Sequence, residues 1–144
     1  EIFVKEVLSG NEAIAICDSD EFFIEYVGVD VIHTDLKKSD RAKSLNEFLV
    51  LGKEIDVDVI SVEGSDGLVT RYSVELYSEG ESVNLRLIDS GLVGIGDFPS
   101  NFERTDLFKK RFSQAKMTDN SIIVPGVPAN NSFGCGTLPC RPKN

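Results

Sequence analysis

Tryptophan is absent from this 144-residue chain, histidine occurs once and cysteine three times. Three cysteines make no disulfide framework. Cys17 falls in an apolar strand, where a small packed side chain is expected rather than a reactive thiol. Cys135 and Cys140 bracket Gly-Thr-Leu-Pro, near enough in sequence to pair under oxidising conditions. With no histidine beside them, a zinc site is not expected, and no other metal or cofactor is called for. No stretch approaches the roughly 18 consecutive apolar residues of a membrane span, so no membrane partner is expected. The chain opens on Glu1 without an initiator Met or a signal-like apolar segment, which reads as a fragment or a processed chain. Cations are scarce in the first part. Residues 1–97 carry 8 Lys/Arg against 21 Asp/Glu, whereas residues 98–144 carry 7 against 3. An acidic body repels phosphate backbones, so any nucleic-acid contact should use the C-terminal portion.

What is present is enough for one folded domain: hydrophobic residues make up 41% of the chain. Residues 1–8 alternate weakly, with Ile2, Val4 and Leu8 against Phe3, Lys5 and Glu6. Ser9-Gly10-Asn11 is a turn, residues 13–17 a return strand, and residues 18–21 a second polar turn. The organising strand covers residues 22–29 and runs through Gly28 to Asp30 and His33. Ser39 or Asp40 is expected to cap a helix whose apolar side is Ala42, Leu45, Phe48 and Leu49, ended by Gly52. Residues 53–62 switch to period two, residues 63–67 loop, and residues 70–77 form the fifth strand. The charged side chains Asp56, Asp58 and Glu75 read as a solvated face. A short helix over 82–90 precedes an irregular Gly/Pro-rich stretch over 92–101. A last helix over 105–117 carries Phe108, Phe112 and Ala115 on one side. The pattern predicts a mainly-β α+β fold: a five-stranded OB-fold barrel with a helix after strand 3 and two C-terminal helices. That domain spans residues 1–124. Residues 125–144, rich in Pro, Gly and Asn, read as a flexible tail.

Several strings, in order and spacing, resemble the staphylococcal-nuclease-like (SN-like) OB-fold. They are Val7-Leu8-Ser9-Gly10-Asn11, Val27-Gly28-Val29-Asp30, Glu75-Leu76-Tyr77 with Ser82-Val83-Asn84, Ser90-Gly91-Leu92 and Gln114-Ala115-Lys116. Active enzymes of that family are calcium-dependent phosphodiesterases that use carboxylates for the ion and two arginines for phosphoryl charge. Carried over by position, one metal-binding Asp becomes Asn11 and the first Arg becomes Glu25, a reversal of sign. The water-positioning Glu falls at His33, while Asp30 and Arg71 are retained. Losing one transition-state donor commonly costs about 10²–10³ in rate, so the resemblance implies a degenerate nuclease with no catalytic residues. Such domains occur in Tudor-SN proteins and in the extended Tudor proteins of RNA silencing, which implies a protein or peptide partner and a cytoplasmic location, possible RNA granules included. The string from Arg71 to Asn84 is similar to the extended-Tudor version. A methylarginine cage needs several aromatics, and with no Trp and three Tyr it is not assigned here.

The expected roles divide accordingly. A partner surface is expected at Leu92, Val93, Ile95 and Phe98, beside the family's groove, and at Ile122 and Ile123 before the tail. Arg104, Lys109, Lys110, Arg111 and Lys116 form a basic set for RNA, a weaker expectation because exposed aromatics are not interleaved with them. His33 reads as a loop residue, or else as a base oriented by Asp30 or Asp35. Arg71 either binds phosphate or pairs with Glu25 across adjacent strands. A divergent metal-dependent nuclease using Asp30 and Arg71 is the alternative from another class.

Overall fold

Small or branched apolar side chains alternate along the first two hairpins, and that alternation decides which side of the sheet closes inward. The computed structural model describes residues 1–65 and 68–118. The first strands, β1 (Ile2–Ser9), β2 (Glu12–Cys17) and β3 (Asp20–Tyr26), form an antiparallel meander. A short β4 (Val29–Val31) leads to α1 (Leu36–Val50), then to the long hairpin β5 (Glu54–Ser65) and β6 (Leu68–Ser78). After β7 (Glu81–Ser82) come α2 (Val83–Asp89), β8 (Val93–Ile95) and α3 (Thr105–Thr118). β5 pairs with β1, and β3 meets β6 in parallel, with Ile24, Glu25 and Tyr26 opposite Tyr72, Ser73 and Val74. That last pairing closes β1, β2, β3, β6 and β5 into an OB-like barrel. The architecture is the expected one: mainly β, five strands in the barrel, a helix after the meander and two more toward the C-terminus.

Local chemistry sets the turns. Asp18 and Ser19 both take positive φ (53° and 76°), as do Glu79 and Gly80 (53° and 84°). Two such residues between paired strands are the primed turns whose twist suits a hairpin. Asp35, not Ser39 or Asp40, caps α1, its Oδ1 accepting from the Lys38 amide at 3.1 Å. The helix therefore starts earlier than its apolar spacing indicates. Ser82 caps α2 in the same way through the Leu85 amide.

Four other expectations are corrected. Val7, not Leu8, joins Ile2 and Val4 in the core, because register shifts between Val4 and Glu6 and between Val7 and Ser9 change the phase of β1. The organising strand breaks at Val27-Gly28 rather than running to Val29, and its continuation, β4, pairs with β8. Phe48 is 71% exposed, with the Lys53 ammonium 5.5 Å from its ring. The buried side of α1 is Ala42, Asn46, Leu49 and Val50. Glu75 is not solvated: it is fully buried. Asp56 and Asp58 are exposed, as expected.

The core runs through the barrel from Val4 and Ile55 to Tyr26 and Leu76, and out to Leu87 and Phe108 where α2 and α3 cover one end. Two asparagines sit inside it. Asn46 accepts from the Tyr26 hydroxyl at 2.7 Å and donates to the Ser9 carbonyl at 2.8 Å. Asn84 donates to the carbonyls of Val27 and Val74 and accepts from the Leu76 amide, at 2.9, 3.0 and 3.0 Å. Each bonds backbone groups inside the fold, and buried carboxamides of that kind must themselves be paired.

Candidate functional site

Of the five residues singled out by the resemblance, Asn11, Glu25 and Arg71 have their side chains engaged within the fold, and Asp30 and His33 do not. Asn11 sits in the β1–β2 turn. Its Nδ2 donates to the Val29 carbonyl at 2.9 Å and its Oδ1 accepts from Ser9 Oγ at 2.8 Å. The Nδ2 end holds β4 against the hairpin, and the Oδ1 end fixes the carboxamide to the hairpin itself. Glu25, on β3, takes the Arg71 guanidinium at 3.1 Å, and the same guanidinium lies 4.9 Å from the Phe23 ring centre. Of the two readings of Arg71, the structure has the cross-strand pair. Asp30 is exposed on β4, opposite Gly94 of β8, and His33 is exposed in the turn that follows. No hydrogen bond or ion pair joins His33 to Asp30 or Asp35 among the described residues.

These residues do not fit calcium. The ion takes six to eight oxygens, with carboxylates foremost. Here Asp30 is the one uncommitted carboxylate of the set, Asn11 is used at both ends, and Glu25 is neutralised by Arg71. Among the described residues no group of three or more His, Cys, Asp or Glu side chains is placed to hold a metal ion.

A groove of about 410 Å³ lies between the segment after β8 and the start of α3, lined in part by Ile95, Phe98, Pro99, Thr105 and Lys109. Gly28 shapes its floor. At φ +78°, an added Cβ would stand 2.6 Å from Phe98 Cε1 and 2.8 Å from Phe108 Cδ2. Phe98, Phe102 and Phe108 pack as a trio there, with ring centroids 5.1–5.8 Å apart. Of the side chains expected to meet a partner, Ile95 and Phe98 border this groove. Leu92 packs partly against the core, and Val93 is 2% exposed, opposite Val31 in the β4–β8 pair. Ile122 and Ile123 lie outside the described residues, as do Cys135, Cys140 and the 125–144 tail.

The basic set is split. Arg104 reaches back to the buried Glu75, its Nε donating at 2.9 and 3.2 Å to the two carboxylate oxygens, while Ser82 Oγ donates to the same carboxylate at 2.6 Å. Arg111 makes a two-pronged ion pair with Asp89. The neighbouring carboxylate holds the guanidinium above its ordinary pKa. Lys116 stands 5.7 Å from the Phe112 ring centre. Lys109 and Lys110 are exposed and carry no ion pair among the described residues.

Sequence reasoning missed the polar residues that position this end: Asn46, Asn84 and the Glu75–Ser82–Arg104 group. A signal was available for two of them. Asn46 occupies a helical position four residues from Ala42 and three from Leu49, and Asn84 follows the helix cap Ser82 within an apolar run. Glu75 had no such signal, since its burial depends on Arg104, 29 residues away. Burial and the adjacent Glu75 carboxylate push the Tyr77 phenol up to about 12, and burial raises Tyr26 as well. No family model matches this chain, and no curated protein matches it.

Proposed function

We propose that this barrel is a non-catalytic interaction module that binds a protein or peptide partner. The observation that carries this reading is the Glu25–Arg71 ion pair at 3.1 Å. An arginine that stabilises a phosphoryl group must present its fork to the substrate. Here Glu25 takes one prong of that fork, Nη1, and its carboxylate would repel an incoming phosphate. Asn11 gives further support, because its amide ties β4 to the hairpin instead of facing solvent as an oxygen donor. The groove between β8 and α3 is a partner site in keeping with this role, with Phe98 and Pro99 as its apolar wall and Asp97 and Lys109 at its edge. The resemblance to SN-like modules adds the finer proposal, a component of a larger RNA-silencing protein.

The test is a cleavage assay on labelled single-stranded DNA and RNA, with Ca²⁺ and separately with Mg²⁺ or Mn²⁺. No cleavage by the folded protein is expected. Cleavage that vanishes in Arg71→Ala overturns the reading and makes the domain a rewired nuclease. A second reading, RNA binding without catalysis, draws on Lys109 and Lys110, exposed and without an ion pair among the described residues. It predicts an affinity that falls steeply with salt and drops in the Lys109→Ala/Lys110→Ala double variant.

A further inference from the structure

The outer face of the meander carries a line of apolar side chains that the barrel does not use. Phe3 stands opposite Ile16, Ile14 stands opposite Phe23, and Ile14 and Ile16 are two apart on one strand. Residues in those relations share a face and touch, so the four form one diagonal across β1, β2 and β3. Their strand neighbours Val4, Ala13, Ala15 and Ile24 point inward and are buried, whereas Phe3 is 39% exposed and none of the four belongs to the core. The helices make their main sheet contacts with β1, β4, β6, β7 and β8, not with β2 or β3. A contiguous apolar line on an open sheet face is unusual for a surface with nothing to meet.

The surroundings specify what it would meet. Glu6 and Glu12 lie on the same face, and Glu54, opposite Phe3, continues it onto β5 with Asp56. Glu12, Glu54 and Asp56 have no cation partner among the described residues, and Glu6 has only Lys5 near it, an ammonium already bonded to Glu21. The two cations that are present are already matched: Lys5 to Glu21 at 2.5 Å and Arg71 to Glu25 at 3.1 Å. Arg71 shows the mode of contact, since it pairs with a carboxylate while lying over the Phe23 ring. We propose that this face docks a basic segment of a partner protein, one in which apolar side chains alternate with Lys or Arg. The apolar side chains would cover Ile14, Ile16 and Phe3, and the cations would meet Glu12, Glu6 and Glu54 as Arg71 meets Glu25. Phosphate backbones are disfavoured here by the same carboxylates. The surface is separate from the groove between β8 and α3, so the two assignments fail independently.

A fluorescein-labelled peptide alternating Arg with Leu and Phe is the probe, titrated by anisotropy against the 144-residue chain. One control peptide has Glu in place of Arg, and the other has Ser in place of the apolar residues. Saturable binding roughly tenfold tighter than either control is expected. It should weaken roughly tenfold in Ile14→Thr and in Phe23→Ser, and also in Glu54→Lys, which reverses an exposed charge at the rim; an unchanged urea midpoint shows that each variant is folded. Ile95→Ser should not change it. Amide chemical-shift changes should fall on β1, β2 and β3. Equal binding of the Glu peptide or shifts confined to the groove would overturn the proposal. So would indifference to Glu54→Lys, self-association through this face, seen as a sedimenting dimer lost in Ile14→Thr, or displacement of the probe by single-stranded RNA.

Discussion

At Asn84 a single carboxamide satisfies three backbone groups, the carbonyls of Val27 and Val74 and the amide of Leu76. An unpaired buried polar group costs about 1–3 kcal/mol, so Asn84→Ala should destabilise the domain by about 2–4 kcal/mol, measured by urea unfolding. Asn84→Asp should do nearly as badly, because a carboxylate cannot donate to either carbonyl. The tyrosines give a residue-scale prediction in pH. Tyr26 and Tyr77 are both raised in the fold above the ordinary value of 10, so the folded state holds these protons more tightly than the unfolded chain. Their contribution is intact below about pH 10 and is lost as pH rises toward 12 and beyond. A titration followed by tyrosinate absorbance should show both phenols ionising late. Unfolding midpoints should fall between about pH 10 and 12, less steeply in Tyr77→Phe.

At the scale of elements, α3 is attached to the barrel by two devices: the aromatic trio over Gly28 and the Arg104–Glu75 pair. Arg104→Ala strands a fully buried carboxylate that keeps only the neutral hydroxyl donors of Ser82 and Tyr77. Removing one partner of a buried pair commonly costs about 3–5 kcal/mol. Arg104 is itself 38% exposed, so water can reach toward the site, and about 2–4 kcal/mol is the expected loss in chemical denaturation. The loss should be present without any nucleic acid, which separates this arginine from Lys109 and Lys110. Gly28→Ala combines a left-handed backbone with an overpacked contact against Phe98 and Phe108. Strain of about 1–2 kcal/mol and overpacking of about 1–3 kcal/mol together predict a markedly lower Tm.

For the whole molecule, charge is the adjustable term. The acidic strands bring Glu54, Asp56 and Asp58 onto one outer surface of β5 with no cation among the described residues to offset them. Screening such repulsion should stabilise the fold. Raising NaCl from about 0.05 M to about 0.5 M is expected to raise Tm, as calorimetry would show. A fall in Tm would mean that the ion pairs at Glu21, Glu25 and Asp89 outweigh the repulsion.

Element order was legible in the sequence because its signals are local. Alternation at Ala13 and Ala15 and at Val74 and Leu76, the turn residues around Asp18-Ser19 and Glu79-Gly80, and helical spacing before Gly52 each act within a few residues. Together they determined a meander, a helix and a long hairpin, and hence a barrel, although the phase of β1 was lost to two register shifts. That Glu25 and His33 stand where the resemblance calls for an Arg and a Glu was legible too, since it needs residue identity alone. Only the tertiary structure decided which polar groups lie inside. Glu75 reads as one more acid on a charged strand until Arg104 and Ser82 close over it, and Asn46 has no partner in its own stretch of chain until Tyr26 and Ser9 reach it. It also decided that Arg71 pairs through Nη1 with Glu25, and that Phe3, Ile14, Ile16 and Phe23 line up on one outer face of the meander. Burial and pairing are relations between residues far apart in the chain. They are set by how the barrel closes, and no local pattern encodes that closure.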